Sequence, residues 1–431
     1  MNSFRPLPVA VLALLAVSCG GSQSNPRGGI QTGGPAVVHM LSAGDGAQGA
    51  AVAVADGALY LATNFRGGLE GSQTANGIAV QRVGEWMQTV AQREGTRIRA
   101  VGAAASSSDV FTAIVSSTGE SGPQSSIRGF EGATGTPTWT VDLGATGYAV
   151  VRDLAASADG RVYAVGAFAG VLEVGDTTLR SEGLQDGFVV AISAKGKPTW
   201  AKRFGGSGGD YAAAVAVDPK DGIAVAGAFT GEAAVDRATL TSNDDSFDVV
   251  VLRLRSDGAL LWVKSVGGAG TDTPAGVAIA GGRVAIAATF EAALMIGAAP
   301  VSADGPSDVL VKAWNADGTD AWAKTLGGPG LDVAAGIAAS TTGFAFAGTL
   351  AKDGSAGEQT IQAGAFLGSV GDDGSALRVQ PLRGLQPSAV AGRAGIRAAV
   401  AGTLHGELRI DDRTVKAPGQ GAAVLVAPAV R

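Results

Sequence analysis

The stretch that decides the fold is DGFVVAISAKGKPTWAKRFGGSGGD, residues 186–210. It aligns without gaps with DVVVLRLRSDGALLWVKSVGGAGTD, residues 248–272, and with DVLVKAWNADGTDAWAKTLGGPGLD, residues 308–332. In each copy a glycine lies four residues before a tryptophan, and a Gly-Gly pair begins five residues after it. Self-similarity at a fixed spacing indicates a repeat architecture.

Each copy continues with two further apolar segments, such as AAAVAVD and GIAVAGAF after Asp210. Short apolar runs separated by Asp-Gly or Gly-Gly turns are typical of β-strands joined by hairpins. This pattern predicts four strands in each unit of about sixty residues. A four-stranded unit at this period is typical of a propeller blade, whose two faces are buried by neighbouring blades.

Counting the units predicts the architecture. Six units are expected at 47–95, 96–147, 148–209, 210–271, 272–331 and 332–387. A seventh begins at Ser388 but contains only three strands, and residues 36–46 match the strand that closes every other unit. We therefore predict an all-β, seven-bladed β-propeller over residues 36–431, in which the N-terminal strand completes the last blade and leaves no open sheet edge.

The repeat resembles a known family. The stretch from Asp186 to Phe229 is similar to the bacterial seven-bladed β-propeller repeat, often called the SBBP repeat, and the resemblance extends over residues 148–350. The resemblance implies a propeller in an envelope or extracellular setting. It brings no catalytic residues, because the repeat motif is structural.

The N-terminus reads as an export signal. Residues 1–18 combine a positive Arg5 with an apolar run that is too short to span a bilayer, so we predict a cleaved signal peptide and no transmembrane helix in the mature chain. Ala-Val-Ser-Cys at 16–19 resembles the bacterial lipobox, which implies lipid attachment at Cys19. Residues 19–35 then form a flexible tether, and Gly20 in a lipoprotein of this kind implies the outer membrane. The alternative is an ordinary secretory signal with an incidental cysteine.

Composition excludes several classes of partner and site. The net charge of −6 and the absence of a basic block give no electrostatic footprint for nucleic acid. Cys19 is the only cysteine, so the mature fold has no internal disulfide. With only His39 and His405 besides, a zinc site is not expected, and no recognisable catalytic motif is present.

Four tryptophans recur at one position of the repeat. Because they recur once per unit, we interpret them as packing between adjacent blades; the alternative is stacking on a sugar or a planar cofactor. They are Trp139, Trp200, Trp262 and Trp322.

Three aspartates end the glycine-rich loops: Asp210, Asp272 and Asp332. We interpret them as capping N–H groups of a turn, so that no metal and no cofactor is required. The alternative is a Ca²⁺ site at the mouth of the central channel, because carboxylate oxygens are ligands that Ca²⁺ prefers.

The sequence therefore predicts a membrane-anchored envelope or surface lipoprotein that acts as a non-catalytic binding or protein-interaction scaffold. Its partner would be another envelope protein or a surface glycan. Variable loops on a rigid scaffold suit recognition, and those between second and third strands are expected at 169–185, 230–247, 291–307 and 351–364. The alternatives are a subunit of an envelope-assembly machine, or a carbohydrate-active hydrolase or lyase with a site at the channel mouth.

Overall fold

The structure is a computed structural model. It describes residues 37–41, 48–55, 58–66, 76–82, 85–91, 96–106, 108–118, 122–218, 220, 222–243, 245–297, 299–391, 399–404, 407–410, 413–416 and 422–427. The predicted signal peptide, Cys19, the tether and His405 lie outside these residues.

The described chain is all-β, as predicted, and its regular elements are strands only. After a first strand, β1 (Val37–Leu41), the chain enters sheet 1, which contains β2 (Gln48–Ala55), β3 (Ala58–Arg66), β4 (Asn76–Arg82) and β5 (Trp86–Ala91). Sheet 2 contains β6 (Thr96–Ala105), β7 (Asp109–Thr118), β8 (Gln124–Glu131) and β9 (Pro137–Leu143).

Sheets 3 and 4 repeat this order and add short hairpins. Sheet 3 comprises β10 (Tyr148–Ala156), β11 (Val162–Ala169), β14 (Asp186–Ile192) and β15 (Pro198–Gly206), with the hairpin β12 (Val171–Val174) and β13 (Thr177–Arg180) between its second and third strands. Sheet 4 comprises β16 (Tyr211–Val217), β17 (Ile223–Phe229), β20 (Asp248–Leu254) and β21 (Leu260–Val266), with the hairpin β18 (Glu232–Val235) and β19 (Ala238–Thr241).

The remaining sheets follow the same order. After β22 (Gly268–Ala269), sheet 5 contains β23 (Thr273–Ala280), β24 (Arg283–Ile296), β25 (Ala299–Trp314) and β26 (Asp320–Leu326). Sheet 6 contains β27 (Val333–Ala339), β28 (Gly343–Leu350), β31 (Gly364–Gly371) and β32 (Arg378–Pro381), with the hairpin β29 (Gly354–Ala356) and β30 (Gln359–Ile361). The last strands are β33 (Leu385–Ala391), β34 (Ala399–Leu404), the hairpin β35 (Glu407–Ile410) and β36 (Arg413–Lys416), and β37 (Ala422–Ala427).

Sheet 7 joins the two ends of the described chain. Its strand order is β33, β34, β37 and β1, so the first strand of the chain is the fourth strand of this sheet. The pairing of β1 with β37 is antiparallel and places Val37 opposite Ala427 and Leu41 opposite Ala423. The first strand of sheet 7, β33, in turn contacts the first strand of sheet 1, β2.

Neighbouring sheets pack face to face because their central strands are apolar on both faces. Every residue of β14, β17 and β20 is buried. Each hydrophobic cluster spans two consecutive sheets; one, for example, unites Phe111 of sheet 2 with Phe168 and Phe188 of sheet 3. A strand that is buried on both sides loses its alternation of polar and apolar residues, and the wholly apolar runs in the sequence reflect this burial.

The first strand of every sheet contains a register shift at the same position. A β-bulge leaves one residue unpaired and re-aims its side chain. The bulges leave out of the pairing Ala50, Val101, Arg152, Ala213, Ala275, Ala335 and Ser388. Only sheet 3 places a charged side chain there.

The long connections between second and third strands, which the sequence predicts as variable loops, contain further strands. In sheets 3, 4 and 6 they fold into two-stranded hairpins, and in sheet 5 the connection continues the pairing of β24 with β25 as far as Ile296 and Ala299. In these four sheets the connection pairs with residues of the preceding sheet.

Candidate functional site

The hairpins of sheets 3, 4 and 6, and the extension of β24 and β25 in sheet 5, pair with residues at or just after the end of the fourth strand of the preceding sheet. We call this pairing the inter-sheet clasp. It joins sheet 2 to 3, 3 to 4, 4 to 5 and 5 to 6 through Ala145 with Leu172, Gly206 with Ala233, Gly268 with Leu294, and Gly327 with Ser355. The clasp brings the hairpins and the loops between sheets to one end of the sheets, which we call the loop face.

The second glycine of each Gly-Gly pair permits this close approach. A β-carbon at Gly206 would overlap the carbonyl oxygen of Glu232, and one at Gly268 would overlap that of Ala293. At Gly328 it would lie 2.6 Å from the carbonyl oxygen of Asp353. In these three joints the backbone approach leaves no room for a β-carbon, whereas in the joint of sheets 2 and 3 Ala145 stands at this position.

The first glycine of each pair makes room for a buried carboxyl group. A β-carbon at Gly205 would lie 2.8 Å from Cγ of Asp186 and 2.7 Å from Oδ2 of Asp210. In sheets 4 and 5, a β-carbon at Gly267 would overlap Asp248, and one at Gly327 would overlap Asp308. Each joint thus contains two aspartates, one from the start of the third strand and one from the end of the loop: Asp186 with Asp210, Asp248 with Asp272, and Asp308 with Asp332.

The loop aspartates cap backbone N–H groups on both sides of the clasp. Oδ2 of Asp210 accepts the N–H of Gly206 at 2.8 Å, and Oδ1 accepts that of Thr230 at 3.3 Å. Asp272 accepts the N–H groups of Gly268 and Glu291 at 3.0 and 3.3 Å, and Asp332 those of Gly328 and Ala351, both at 2.8 Å. These bonds satisfy backbone donors that the sharp turn removes from water.

Burial shifts the titration of these pairs. It raises the pKa of Asp210 to about 6, that of Asp272 to about 7 and that of Asp308 to about 6. Backbone N–H groups oppose the rise in the pKa, and the neighbouring carboxylate adds to it. Burial likewise raises the pKa of Asp186 and of Asp332.

The three joints differ in how the first aspartate is neutralised. Arg203 forms a 2.6 Å ion pair with Asp186 and a 2.7 Å ion pair with Glu182. The place of Arg203 is taken by Ser265 in sheet 4 and by Thr325 in sheet 5, since these residues pair with the equivalent positions of the third strand. Neither of these two residues carries a charge.

In sheet 4 an amide side chain forms a hydrogen bond with the first aspartate, Asp248. The side-chain amide of Asn243 donates to Oδ2 of Asp248 at 2.8 Å, and its backbone N–H donates to the same oxygen at 3.1 Å. In sheet 5 the backbone N–H of Asp304 donates to Oδ2 of Asp308 at 3.2 Å, whereas Oδ1 of Asp308 is buried without a hydrogen-bond partner in the described part of the chain.

The structure places Asp210, Asp272 and Asp332 inside the joints, not on the wall of a channel mouth. Each is at most 1% exposed, although the next residue begins the first strand of a sheet. Across the described ranges, no group of three or more His, Cys, Asp or Glu side chains is arranged to hold a metal ion. The pairing with Asp186, Asp248 and Asp308 was not predicted, although the same spacing recurs in all three repeats.

The tryptophans of the fourth strands pack on the next sheet. Their indole Nε1 atoms donate to a carbonyl in the turn between the third and fourth strands of that sheet, at 2.9–3.1 Å. The turn glycine, which has a positive φ, lies against the indole ring. The pairs are Trp139 with Gly196, Trp200 with Gly258, Trp262 with Gly318, and Trp322 with Gly374. The glycine that precedes each tryptophan therefore belongs to a joint with the sheet before.

A fifth tryptophan of this type was missed. Trp86 donates to the carbonyl of Gly132 at 2.9 Å, and Gly135 lies against its ring. Unit one lacks the glycine four residues before its tryptophan, since Arg82 stands there. The signal that could have found Trp86 was Gly135, which needs a partner in the preceding unit.

Near the loop face an exposed arginine packs on partly buried aromatic side chains. Arg152, the bulge residue of sheet 3, is exposed, and its Cζ lies 4.2 Å from the ring centroid of Tyr211. Tyr211 meets the ring of Phe247 edge-on at 5.7 Å. Tyr148 donates its hydroxyl to Oε1 of Gln185. Tyr148 and Tyr211 begin first strands, and Gln185 and Phe247 precede third strands, at the end of the sheets that forms the loop face. Arg152 lies at the fifth residue of β10.

The remaining candidates for a catalytic site are a cleft, the aspartate pairs and His39. A cleft of about 560 Å³ lies between β26 and the hairpin β29–β30, with Lys324 and Glu358 in its lining. The aspartate pairs are closed to solvent, so a substrate cannot reach them. His39 lies in β1, opposite Leu425.

No protein-family model and no curated protein matches the chain. Among solved structures, quinohemoprotein alcohol dehydrogenase from Comamonas testosteroni matches with a TM-score of 0.41 and 11% identity over 92% of this chain and 77% of its own. BamB from Moraxella catarrhalis matches with a TM-score of 0.36 and 11% identity, covering 91% and 98% of the two chains. A sialidase from Trypanosoma rangeli matches with a TM-score of 0.34 and 8% identity, covering 88% and 53%. In the described residues, no helix has the length and hydropathy needed to cross a membrane.

Proposed function

We propose that the chain is a closed, seven-bladed β-propeller, held at the bacterial outer membrane by a lipid on Cys19, and that it is a non-catalytic binding scaffold. The binding role is inferred from which side chains form the joints between sheets and which side chain remains exposed. The aspartate pairs and tryptophans form the joints between sheets, whereas Arg152 is exposed and stacks on Tyr211. A rigid body that presents unused side chains on one face suits recognition.

Closure of the ring is supported by the strand order of sheet 7. The pairing of β1 with β37 makes the two ends of the described chain parts of one sheet, and β33 contacts β2. The first strands of the other consecutive sheets also contact one another, in the order β2, β6, β10, β16, β23, β27 and β33. A head-to-tail series of identical contacts produces a ring when its rotation closes.

A disulfide tests this closure. In a Cys19→Ser background, His39→Cys and Leu425→Cys occupy facing positions of β1 and β37. We expect an intramolecular disulfide under oxidising conditions, and a rise in Tm because the bond closes nearly the whole chain into one loop. The control pair, His39→Cys with Ser388→Cys, joins the two outer strands of sheet 7 and is expected not to form the bond. Failure of the first pair would contradict closure.

The lipid anchor and the binding face have separate tests. Incorporation of labelled fatty acid into the wild-type protein, and its loss in Cys19→Ala, is expected if the lipid is attached there. A photo-crosslinking amino acid at Leu184, which is 80% exposed on the loop face, is expected to capture a partner in intact envelopes. The same group at Lys195, in an exposed turn at the opposite end of sheet 3, is the control.

Equal capture from both positions would contradict a binding role for the loop face. The alternative of an envelope-assembly subunit predicts that the captured partner also co-purifies at a fixed stoichiometry. The proposed binding scaffold predicts instead that the captured partner binds reversibly and does not co-purify at a fixed stoichiometry.

A further inference from the structure

The bulge residue of sheet 3 differs from all its equivalents. The six other bulges place small or apolar residues at this point, whereas sheet 3 places Arg152. Its side chain is exposed, and it forms no ion pair with any other described residue. A single cation in an otherwise neutral set of bulges makes sheet 3 chemically distinct from the other sheets at this point.

The guanidinium group is held in one orientation. It lies over the face of Tyr211, 4.2 Å from the ring centroid, and Tyr211 is itself braced edge-on by Phe247. Stacking on an aromatic face leaves the N–H edge of a guanidinium group free to donate, and its planar fork matches a carboxylate with two parallel hydrogen bonds. The carboxylate of the next residue, Asp153, does not pair with this guanidinium group. It accepts the backbone N–H groups of Leu154 and Val215 instead.

Two tyrosines lie close to Arg152: Tyr211 under its guanidinium group, and Tyr148, whose hydroxyl donates to Gln185. The residue before Gln185, Leu184, is 80% exposed. An exposed apolar side chain near an arginine is typical of protein interaction sites.

A sugar ring is not expected to stack here, because Arg152 covers the face of Tyr211 that could contact it. From this arrangement we infer that Arg152 is the anchor of a peptide-binding site. It takes the carboxylate of a partner segment, while apolar side chains of that segment contact Leu184. This inference rests on the proposed binding function and names the chemistry of the partner.

The test uses a displayed library of random peptides, selected on the purified Cys19→Ser protein. We expect the selected peptides to be enriched in a carboxylate next to apolar residues. The best peptide is then synthesised with its acidic residue intact or replaced by the matching amide. A charge-assisted, two-bond contact between Arg152 and the carboxylate predicts that the amide weakens binding by about tenfold.

Two variants decide whether Arg152 is responsible. Arg152→Gln is expected to lose the same factor as the amide peptide, and Arg152→Lys to recover only part of it, since an ammonium group lacks the planar fork. Arg237→Gln, which removes an exposed arginine from the tip of the hairpin β18–β19, is the control and should bind normally. Unchanged Tm values in all three variants show that each is folded.

Several outcomes overturn the inference. The first is that the selected peptides contain no enriched acidic residue. The second is that the Arg152→Gln variant binds the best peptide as tightly as the parent protein does. The third is that the protein binds oligogalacturonate or inorganic phosphate through Arg152 in place of peptides. Capture from Leu184 in envelopes with no effect of Arg152→Gln would leave the proposed function standing and this inference refuted.

Discussion

The carboxyl group of Asp308 is a buried charge whose removal should stabilise the protein. It is 4% exposed, its Oδ1 has no hydrogen-bond partner among the described residues, and burial together with the charge of Asp332 raises its pKa from 3.8 to about 6. A carboxyl with a raised pKa stabilises the fold below its unfolded pKa, and this stability is lost as the pH rises to the folded value. The wild-type protein should therefore lose this contribution between about pH 4 and pH 6.

Asp308→Asn keeps an acceptor for the N–H of Asp304 and places a donor where the unpartnered oxygen stands. The rise of about two pKa units corresponds to roughly 3 kcal/mol at most, at about 1.4 kcal/mol per unit. We expect a gain of about 1–3 kcal/mol in the free energy of unfolding at pH 8, shrinking towards zero at pH 4. Urea unfolding of the Cys19→Ser protein, followed by tryptophan fluorescence, measures it.

Asp332→Asn is the matched control. Both oxygens of Asp332 accept backbone N–H groups at 2.8 Å, so an amide would face one buried N–H with another donor. This variant should be about 1–3 kcal/mol less stable than Asp308→Asn at each pH. If Asp308→Asn is less stable than the wild type at pH 8, or if its effect is independent of pH, the account of the aspartate pairs is wrong.

Three further predictions concern the joints. Gly267→Ala should lower the Tm strongly, because its β-carbon would overlap Asp248, whereas Gly144→Ala, with no atom within 4 Å of the new β-carbon, should change it little. Gly258→Ala should destabilise by about 1–3 kcal/mol in urea unfolding, since φ is +88° and the methyl would lie 3.0 Å from the ring of Trp200. Because several carboxyls have raised pKa values, the wild-type Tm should fall from pH 5 to pH 8; a Tm that rises over this range would contradict the shifts.

Much of the fold could be predicted because its signals are local. The Gly-to-Trp spacing, the Asp-Gly turns and the apolar runs of sheets 3 to 5 all appear within single repeats. The pairing of β1 with β37 was predictable because a three-stranded unit at one end of the sequence matched a lone strand at the other. The hairpins were not predicted, since their strands are short and their pairing partner lies in another repeat.

The chemistry of the loop face was harder to predict because it arises between repeats. Arg152 is unremarkable in the sequence, and only the bulge and the approach of Tyr211 from the next sheet give it a defined orientation. The burial of Asp210 is similarly invisible from its position after a glycine-rich loop, because the covering groups come from Asp186 and from the next hairpin.

The tryptophan joint has a direction: the indole always belongs to the earlier sheet and the turn glycine to the later one. Sheets 2 to 5 therefore each carry the turn glycine of one joint and the indole of the next, and a unit duplicated within this series would find complementary surfaces on both sides. Whole units could then be added or removed there without the need for a new kind of contact. Because β1 belongs to sheet 7, such a change would also have to preserve the pairing of β1 with β37.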